Sequence, residues 1–320
     1  MRSSIKKEHD LIMRVAWKYH KEGLTQKEIA DIMDISRFKV MDLLSQAKEE
    51  GIIDIRINSP IYNCLSKEQS LRDKFSLEDA YVIPEPEKEK NIKKVIGLSG
   101  SDYLEEIIDD GDMVGTAWGE TLFEVAKNFK GMNESGQNTS FILMLGGLGS
   151  EQAISLNPYD VAKTLADKLG GRCYYIFSPA VVETEKAKEI IMADDKIRSA
   201  LEKARSADKA LVGIGEVSRN ATLVETGFIS RSEIKNLKQK GAVGDILGRF
   251  FDINGEPVES NINDLIVGLN LEEIKNSGKV IGFAGGENKV KSIYGALQGE
   301  YLDVLVTDEN TASKLINFAG

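Results

Sequence analysis

Lys289 follows Gly285-Gly286-Glu287-Asn288 at the predicted start of a helix, where a cation opposes the helix dipole unless an anion sits nearby. The functional reading is a residue that holds an anion; the plain one is an exposed lysine. Two more glycine-bearing turns, Gly115 to Gly119 and Gly146 to Gly149, stand at the ends of predicted strands. In open α/β sheets such turns let backbone N–H groups approach a ligand, and the helix that follows presents its positive end. Conformational need explains any one turn alone, but three together favour a small anionic or polyhydroxyl guest. Asp245, within Gly244 to Asp252, stands near Phe250 and Phe251. A carboxylate beside an aromatic suits sugar hydroxyls and a sugar ring face, although core packing explains the two phenylalanines equally well.

Other chemistries are excluded by what the chain lacks. Its two histidines, His9 and His20, lie in the first twenty residues, so acid–base work in the body would fall to carboxylates such as Glu216, or to Lys, Tyr or Cys. No Cys/His cluster has zinc-ligand spacing, and neither a metal nor a cofactor is expected. Cys64 and Cys173 are single thiols without a CxxC pattern, and the start of the chain has no leader-like apolar core, which leads us to expect a reduced, cytoplasmic location. The tightest apolar run, Phe141 to Leu145, is far below the roughly 20 residues a bilayer crossing needs, so no membrane partner is expected.

A second set of candidates lies near the start. Thr25 and Glu28 stand three apart before apolar residues, the reciprocal pairing that satisfies two free amides at a helix start. Asp34-Ile35-Ser36 then makes a short turn, with Ser36 as cap of a further helix whose buried stripe is Val40, Leu43, Leu44 and Ala47. With a preceding helix carrying Leu11, Ile12, Val15, Ala16 and Tyr19, closed by Gly23, this is a helix-turn-helix arrangement. Ile52 to Ile57 alternates like a strand and would add a wing. In such motifs the start of the third helix enters the major groove. Arg37 and Lys39 then suit phosphates or guanine edges, Ser36 and Gln26 (after Thr25) phosphate or base hydrogen bonds, and Arg56 the backbone at the wing. Phe38 shares that leading edge, but packing in the core or against a partner is favoured for its ring over a base contact.

With 320 residues, 42% of them hydrophobic, the chain is long enough for two folding units with an ample core. Its net charge of −10 argues against nucleic acid only as an average. Residues 1–60 carry 11 Lys+Arg and 10 Asp+Glu, a balance of +1 that leaves −11 for the remainder. Weak non-specific DNA affinity follows, with tight binding reserved for several heads in register.

The expected domains are a winged helix-turn-helix over 1–58, a linker with a connecting helix over 59–91, and an α/β body over 92–320. The connection includes a helix with Leu65, Leu71 and Phe75, which the sequence leaves open to membership of the second domain, and a charged, proline-punctuated loop at 84–90. In the body, strands are expected at 112–115, 141–145, 174–177, 210–214, 280–283 and 304–306. Helices are expected up to Phe129, from Asn157-Pro158 to Gly170, and over 185–205, 288–297 and 309–318. The alternation favours a doubly wound parallel sheet.

Taken together the motifs resemble the SorC family of sugar-responsive bacterial transcriptional regulators, often grouped with DeoR-type regulators. The likeness runs through the head from Leu24 to Gly51, then Gly115-Thr116-Ala117-Trp118-Gly119-Glu120-Thr121-Leu122 and Asn157-Pro158-Tyr159. It continues in Gly244 to Asp252, Gly285 to Lys289, and Leu305 to Ala312. It implies a sugar-binding domain with the fold of ribose-phosphate isomerases, glucosamine-phosphate deaminases and CoA-transferases. It also implies a homo-oligomer, commonly a tetramer, whose affinity for operator DNA changes when a sugar phosphate or polyol binds. By the resemblance Thr116, Gly119 and Thr121 fall in the first effector loop, Asp245 at a sugar hydroxyl and Lys289 at phosphate. Gly115, Trp118, Glu120, Gly146, Gly147, Glu216, Phe250, Gly285 and Gly286 complete the candidate effector set. Many relatives have Arg where this chain has Glu120; an inward carboxylate there would repel phosphate. Either Glu120 faces solvent, or phosphate is held from the Lys289 side, or the effector is an unphosphorylated polyol. Leu145 leaves no amine before Gly146-Gly147 for a Schiff base.

No catalytic residue is assigned. The competing readings are a sugar-phosphate isomerase or deaminase carrying a regulatory head, kept open by fold analogy, and a metabolite-binding protein whose head only mediates oligomerisation.

Overall fold

In the computed structural model, residues 2–53, 60–85, 92–131, 138–148, 157–219, 221–225 and 227–318 are described, with side chains from residue 9 and, in the second segment, from residue 63. The chain divides into two compact units, Met1–Ser59 and Pro60–Gly320.

The first unit holds α1 (Arg2–His20), α2 (Gln26–Met33) and α3 (Arg37–Glu49). Ile12, Val15 and Ala16 of α1 bury against Ile29 and Ala30 of α2 and Val40, Leu43 and Ala47 of α3, with Leu11 and Leu44 partly buried against them, while Tyr19, on the stripe by its spacing, is exposed at the end of α1. Of the two packing roles expected for Phe38, the structure removes the core one: the residue joins no core and is 82% exposed. The expected wing lies largely outside the described residues.

The second unit begins with α4 (Pro60–Phe75) and β1 (Asp79–Ile83), followed by α5 (Ile92–Ile107), β2 (Met113–Thr116), α6 (Glu120–Asn128), β3 (Ser140–Leu143), α7 (Pro158–Leu169) and β4 (Arg172–Tyr174). Next come α8 (Glu185–Ala193), α9 (Asp195–Arg205), β5 (Lys209–Gly213), β6 (Gly215–Glu216), α10 (Thr222–Glu225), α11 (Arg231–Gln239), β7 (Gly244–Ile246) and β8 (Arg249–Phe251). The chain ends with α12 (Asn261–Leu265), α13 (Leu271–Lys275), β9 (Lys279–Phe283), a 3-10 turn at Glu287–Lys289, α14 (Val290–Gln298), β10 (Val304–Asp308) and α15 (Glu309–Asn317).

Seven strands form one parallel sheet in the order β1-β10-β9-β5-β2-β3-β4. From β2 the chain steps outward through β3 and β4, then returns to the other side of β2 at β5. The order therefore reverses between β2 and β5, which opens a crevice beyond their carboxyl ends. β3, β5 and β10 are buried almost throughout, as strands covered on both faces must be. A smaller antiparallel sheet, β6-β7-β8, is tied to α14 by the Ser292 hydroxyl, which donates to the Val243 carbonyl at 2.8 Å.

The structure differs from the sequence reading at several elements. Residues 60–83 are α4 and the edge strand β1 of the sheet unit, so this unit starts at Pro60 and not at 92; most of the charged 84–90 stretch lies outside the described residues. The single helix expected over 185–205 is two, because Asp194 caps a new start by accepting from the amides of Lys196 and Ile197. The expected strand at 174–177 lies at 172–174. Lys289 belongs to the 3-10 turn ahead of α14, and residues 244–251 form a hairpin.

Candidate functional site

β2 and β5 lie side by side, and the Ala117 amide continues the pairing by donating to the Leu211 carbonyl at 3.2 Å. Beyond it the chain turns at Gly119, whose φ of 128° and ψ of 152° form a backbone geometry only glycine adopts readily. Gly119 caps α6 without any side-chain bond, so the first-turn amides of α6, at Glu120, Thr121 and Leu122, front a recess at the sheet's switch point. The end of β9 repeats the device. Gly286, at φ 105° and ψ 147°, opens the 3-10 turn that carries Lys289. The Gly286 amide donates to the Thr311 hydroxyl at 2.8 Å and the Asp308 carboxylate at 3.1 Å, which fixes the loop.

Two adjoining cavities of about 50 and 320 Å³ share Lys93, Gly215, Thr222 and Lys289 as walls. The smaller reaches Trp118, Thr121 and Asp245; the larger reaches Glu216, Gly285 and Gly286. Together they fall at the lower end of the roughly 300–1,000 Å³ typical of small-ligand sites.

Asp245 enters from the small sheet, opposite Gly215. A side chain at 215 would place Cβ 1.9 Å from the Asp245 Oδ1, so glycine there makes room for the carboxylate. The other oxygen accepts from the Gly248 amide at 3.1 Å, within the two-residue hairpin turn Leu247-Gly248. Burial pushes the Asp245 carboxyl up to about 6, against the pull of the Gly248 amide and the Lys289 ammonium. Lys289 is partly buried and donates through Nζ to the Ile214 carbonyl at 2.6 Å. Burial and then the Lys93 ammonium lower its pKa, while Asp245, Glu216 and Glu120 oppose them. Glu120 lines the recess and is ion-paired with Lys93. Both side chains are about two-fifths exposed, so the pair is weak and exchangeable. Glu216 accepts from the Ser218 hydroxyl at 2.9 Å.

The recess therefore offers amide donors and two ammonium groups for an anion, and carboxylates for hydroxyls. Among the described residues no cluster of His, Cys, Asp and Glu could hold a metal, and no helix is long and apolar enough to cross a membrane.

Five expected residues are not brought to this recess. Gly115 lies inside β2, where a Cβ would meet the Met144 sulfur at 2.9 Å. Thr116 is wholly buried, its hydroxyl donating to the Ile142 carbonyl at 3.4 Å. Gly146 packs on the Ser178 and Pro179 carbonyls, Gly147 on the Tyr159 ring, and Phe250 is core. These glycines serve close packing. Conversely Lys93, Gly215 and Thr222 escaped the sequence reading. Lys93 sits in a run of charge that reads as solvated surface, whereas Gly215, between two predicted elements, carried a signal that could have been used.

In the head, Thr25 and Glu28 form the full capping box: the Glu28 amide donates to the Thr25 hydroxyl at 3.3 Å and the Thr25 amide to the Glu28 carboxylate at 2.7 Å. Ser36 caps α3 by accepting from the Lys39 amide at 3.1 Å. The Arg37 Nε lies 3.5 Å from the Gln26 side-chain oxygen, which joins the leading ends of α2 and α3. Lys39 is paired with Asp42 at 3.1 Å. Arg56 lies outside the described residues.

Residues 59–317 match the family described as "Putative sugar-binding domain". The chain is 32% identical over 313 residues to the deoxyribonucleoside regulator of Bacillus subtilis, covering 98% of this chain and 99% of that one. It is also 32% identical over 317 residues to the transcriptional regulator LsrR of Klebsiella pneumoniae, covering 98% and 94%. Among solved structures, the full-length sorbitol operon regulator SorC from Klebsiella pneumoniae superposes with a TM-score of 0.75 at 28% identity, covering 96% of this chain and 98% of that one.

Proposed function

Since the chain belongs to the SorC family of transcriptional regulators with a sugar-binding domain, we propose that a sugar phosphate or polyol bound at the sheet's switch point controls its affinity for operator DNA upstream of carbohydrate-metabolism genes. The observation that carries this reading is the convergence of Lys289, Asp245 and the uncapped start of α6 on one recess. Two ligand chemistries, anion and hydroxyl, are met there within one small volume. Because Glu120 stands on the wall paired with Lys93, an anionic group is best held from the Lys289 side, with hydroxyls on Asp245 and Glu216.

The head would read DNA through Thr25, Gln26, Ser36, Arg37, Phe38 and Lys39, with Arg56 at the wing. A cytoplasmic dimer or tetramer would present two-fold related heads to a partly palindromic operator. Effector binding would favour one of two arrangements of that oligomer in proportion to its differential affinity for them. The relatives are transcriptional regulators, not enzymes.

A thermal-shift screen of sugar phosphates and free polyols tests the site, because a ligand that binds only the folded chain raises its melting temperature. Phosphorylated ligands should lose their shift in Lys289→Ala while polyols keep theirs. A phosphate-dependent shift that survives Lys289→Ala would move the anion elsewhere, and turnover of a hit would overturn the regulator reading.

A further inference from the structure

The outward face of α3 is led by an aromatic ring. Val40, Leu43 and Ala47 mark the buried side of this helix. At about 100° per residue, Phe38 falls nearly opposite them. Phe38 is 82% exposed, and Met41, on the adjoining part of the same face, is 47% exposed. Arg37 and Lys39 lie about 100° to either side of Phe38. Arg37 is drawn toward Gln26 on α2, away from the outward meridian, whereas Lys39 is paired with Asp42, which lies about 40° from Phe38, a pair exposed enough to exchange for a phosphate.

With the first turn of such a helix in a major groove, the residue opposite the core faces the floor and its two neighbours face the walls. The walls are phosphate chains and suit cations; the floor is base edges. The apolar group on that floor is the C5-methyl of thymine. We propose that Phe38 reads thymine methyl groups in the operator, while Arg37 and Lys39 serve the flanking phosphates. The proposal rests on the reading of α2 and α3 as the DNA-reading pair and adds to it a determinant of sequence preference.

The test uses the full-length chain to recover preferred duplexes from a random library. Each thymine of the recovered sequence is then replaced by uracil, which removes only the methyl group. The wild-type protein should lose about fourfold in affinity per half-site at one thymine position. Phe38→Ala should bind the thymine duplex more weakly and be indifferent to uracil at that position. Phe38→Leu, which keeps an apolar side chain, should regain part of the sensitivity. Arg37→Ala should keep the full uracil effect while its salt slope falls by about one per head. Circular dichroism and sedimentation on each variant report fold and assembly.

Uracil sensitivity that persists in Phe38→Ala, or a recovered sequence with no methyl-dependent thymine, overturns the proposal. So does a Phe38→Ala chain that dissociates, since the ring would then pack between copies. These results leave the regulator reading standing. A library that yields no preferred sequence tells against both.

Discussion

Asp245 carries a consequence for stability as well as for binding. Its carboxyl, at 3.8 in an ordinary setting, is raised to about 6 by burial. Between those values the folded chain holds a proton that the unfolded chain has lost. Folding stability due to this group therefore falls as pH rises from about 4 to 6, and above that range the loss is complete. Asp245→Asn removes the effect. Relative to wild type, the variant should gain on the order of 2–3 kcal/mol between pH 4 and pH 7, read from urea unfolding across that range. Parallel pH profiles for the two proteins would contradict the assigned burial. At pH 7 the ionised carboxylate is a strong acceptor for ligand hydroxyls, so the more stable variant should bind polyols less well. Lys289 is the mirror case: burial lowers its pKa, and an incoming anion would restore its preference for the charged form.

At the scale of elements, the β5–β6 junction sets where Asp245 sits. Gly215→Ala would place a methyl group against the carboxylate and force it from the recess. We expect a loss of roughly 1–3 kcal/mol in stability from the forced repacking, with ligand-induced thermal shifts abolished and the far-ultraviolet spectrum unchanged. A retained ligand shift would show that Asp245 is not needed in place. The helix starts were legible in the sequence because their signals are local: Thr25 with Glu28, Ser36, and Asn157 before Pro158 each satisfy an amide two or three residues away. β1 was not legible, since its partner β10 lies more than 200 residues on. The β7–β8 hairpin was hidden by its turn, which puts Leu247, not Asn or Gly, at positive φ. Gly146 and Gly147 imitate a ligand loop although packing alone requires them, and Lys93 enters the site only through the packing of α5 against α6. A core place for Phe38 was suggested by neighbours that include core positions, and only its angle on the helix separates it from them.

For the whole molecule, the charge of −10 resolves into a head of +1 and a body of −11. Under the proposed function a body of that sign would be repelled by DNA, so a balanced head would gain little from non-specific attraction and would depend on fitted contacts from more than one copy. Weak individual heads would make assembly and head spacing the quantities an effector could govern; the full-length SorC structure, like this chain, joins both units in one polypeptide. The central claim is that occupancy of the recess and affinity for DNA are coupled. The direct measurement is fluorescence anisotropy of a labelled, library-selected duplex, titrated with protein in the absence and presence of a saturating ligand from the thermal screen. The account predicts a change of roughly 5- to 150-fold in DNA affinity, absent in Lys289→Ala for a phosphorylated ligand. An unchanged DNA affinity while the ligand is demonstrably bound would contradict it.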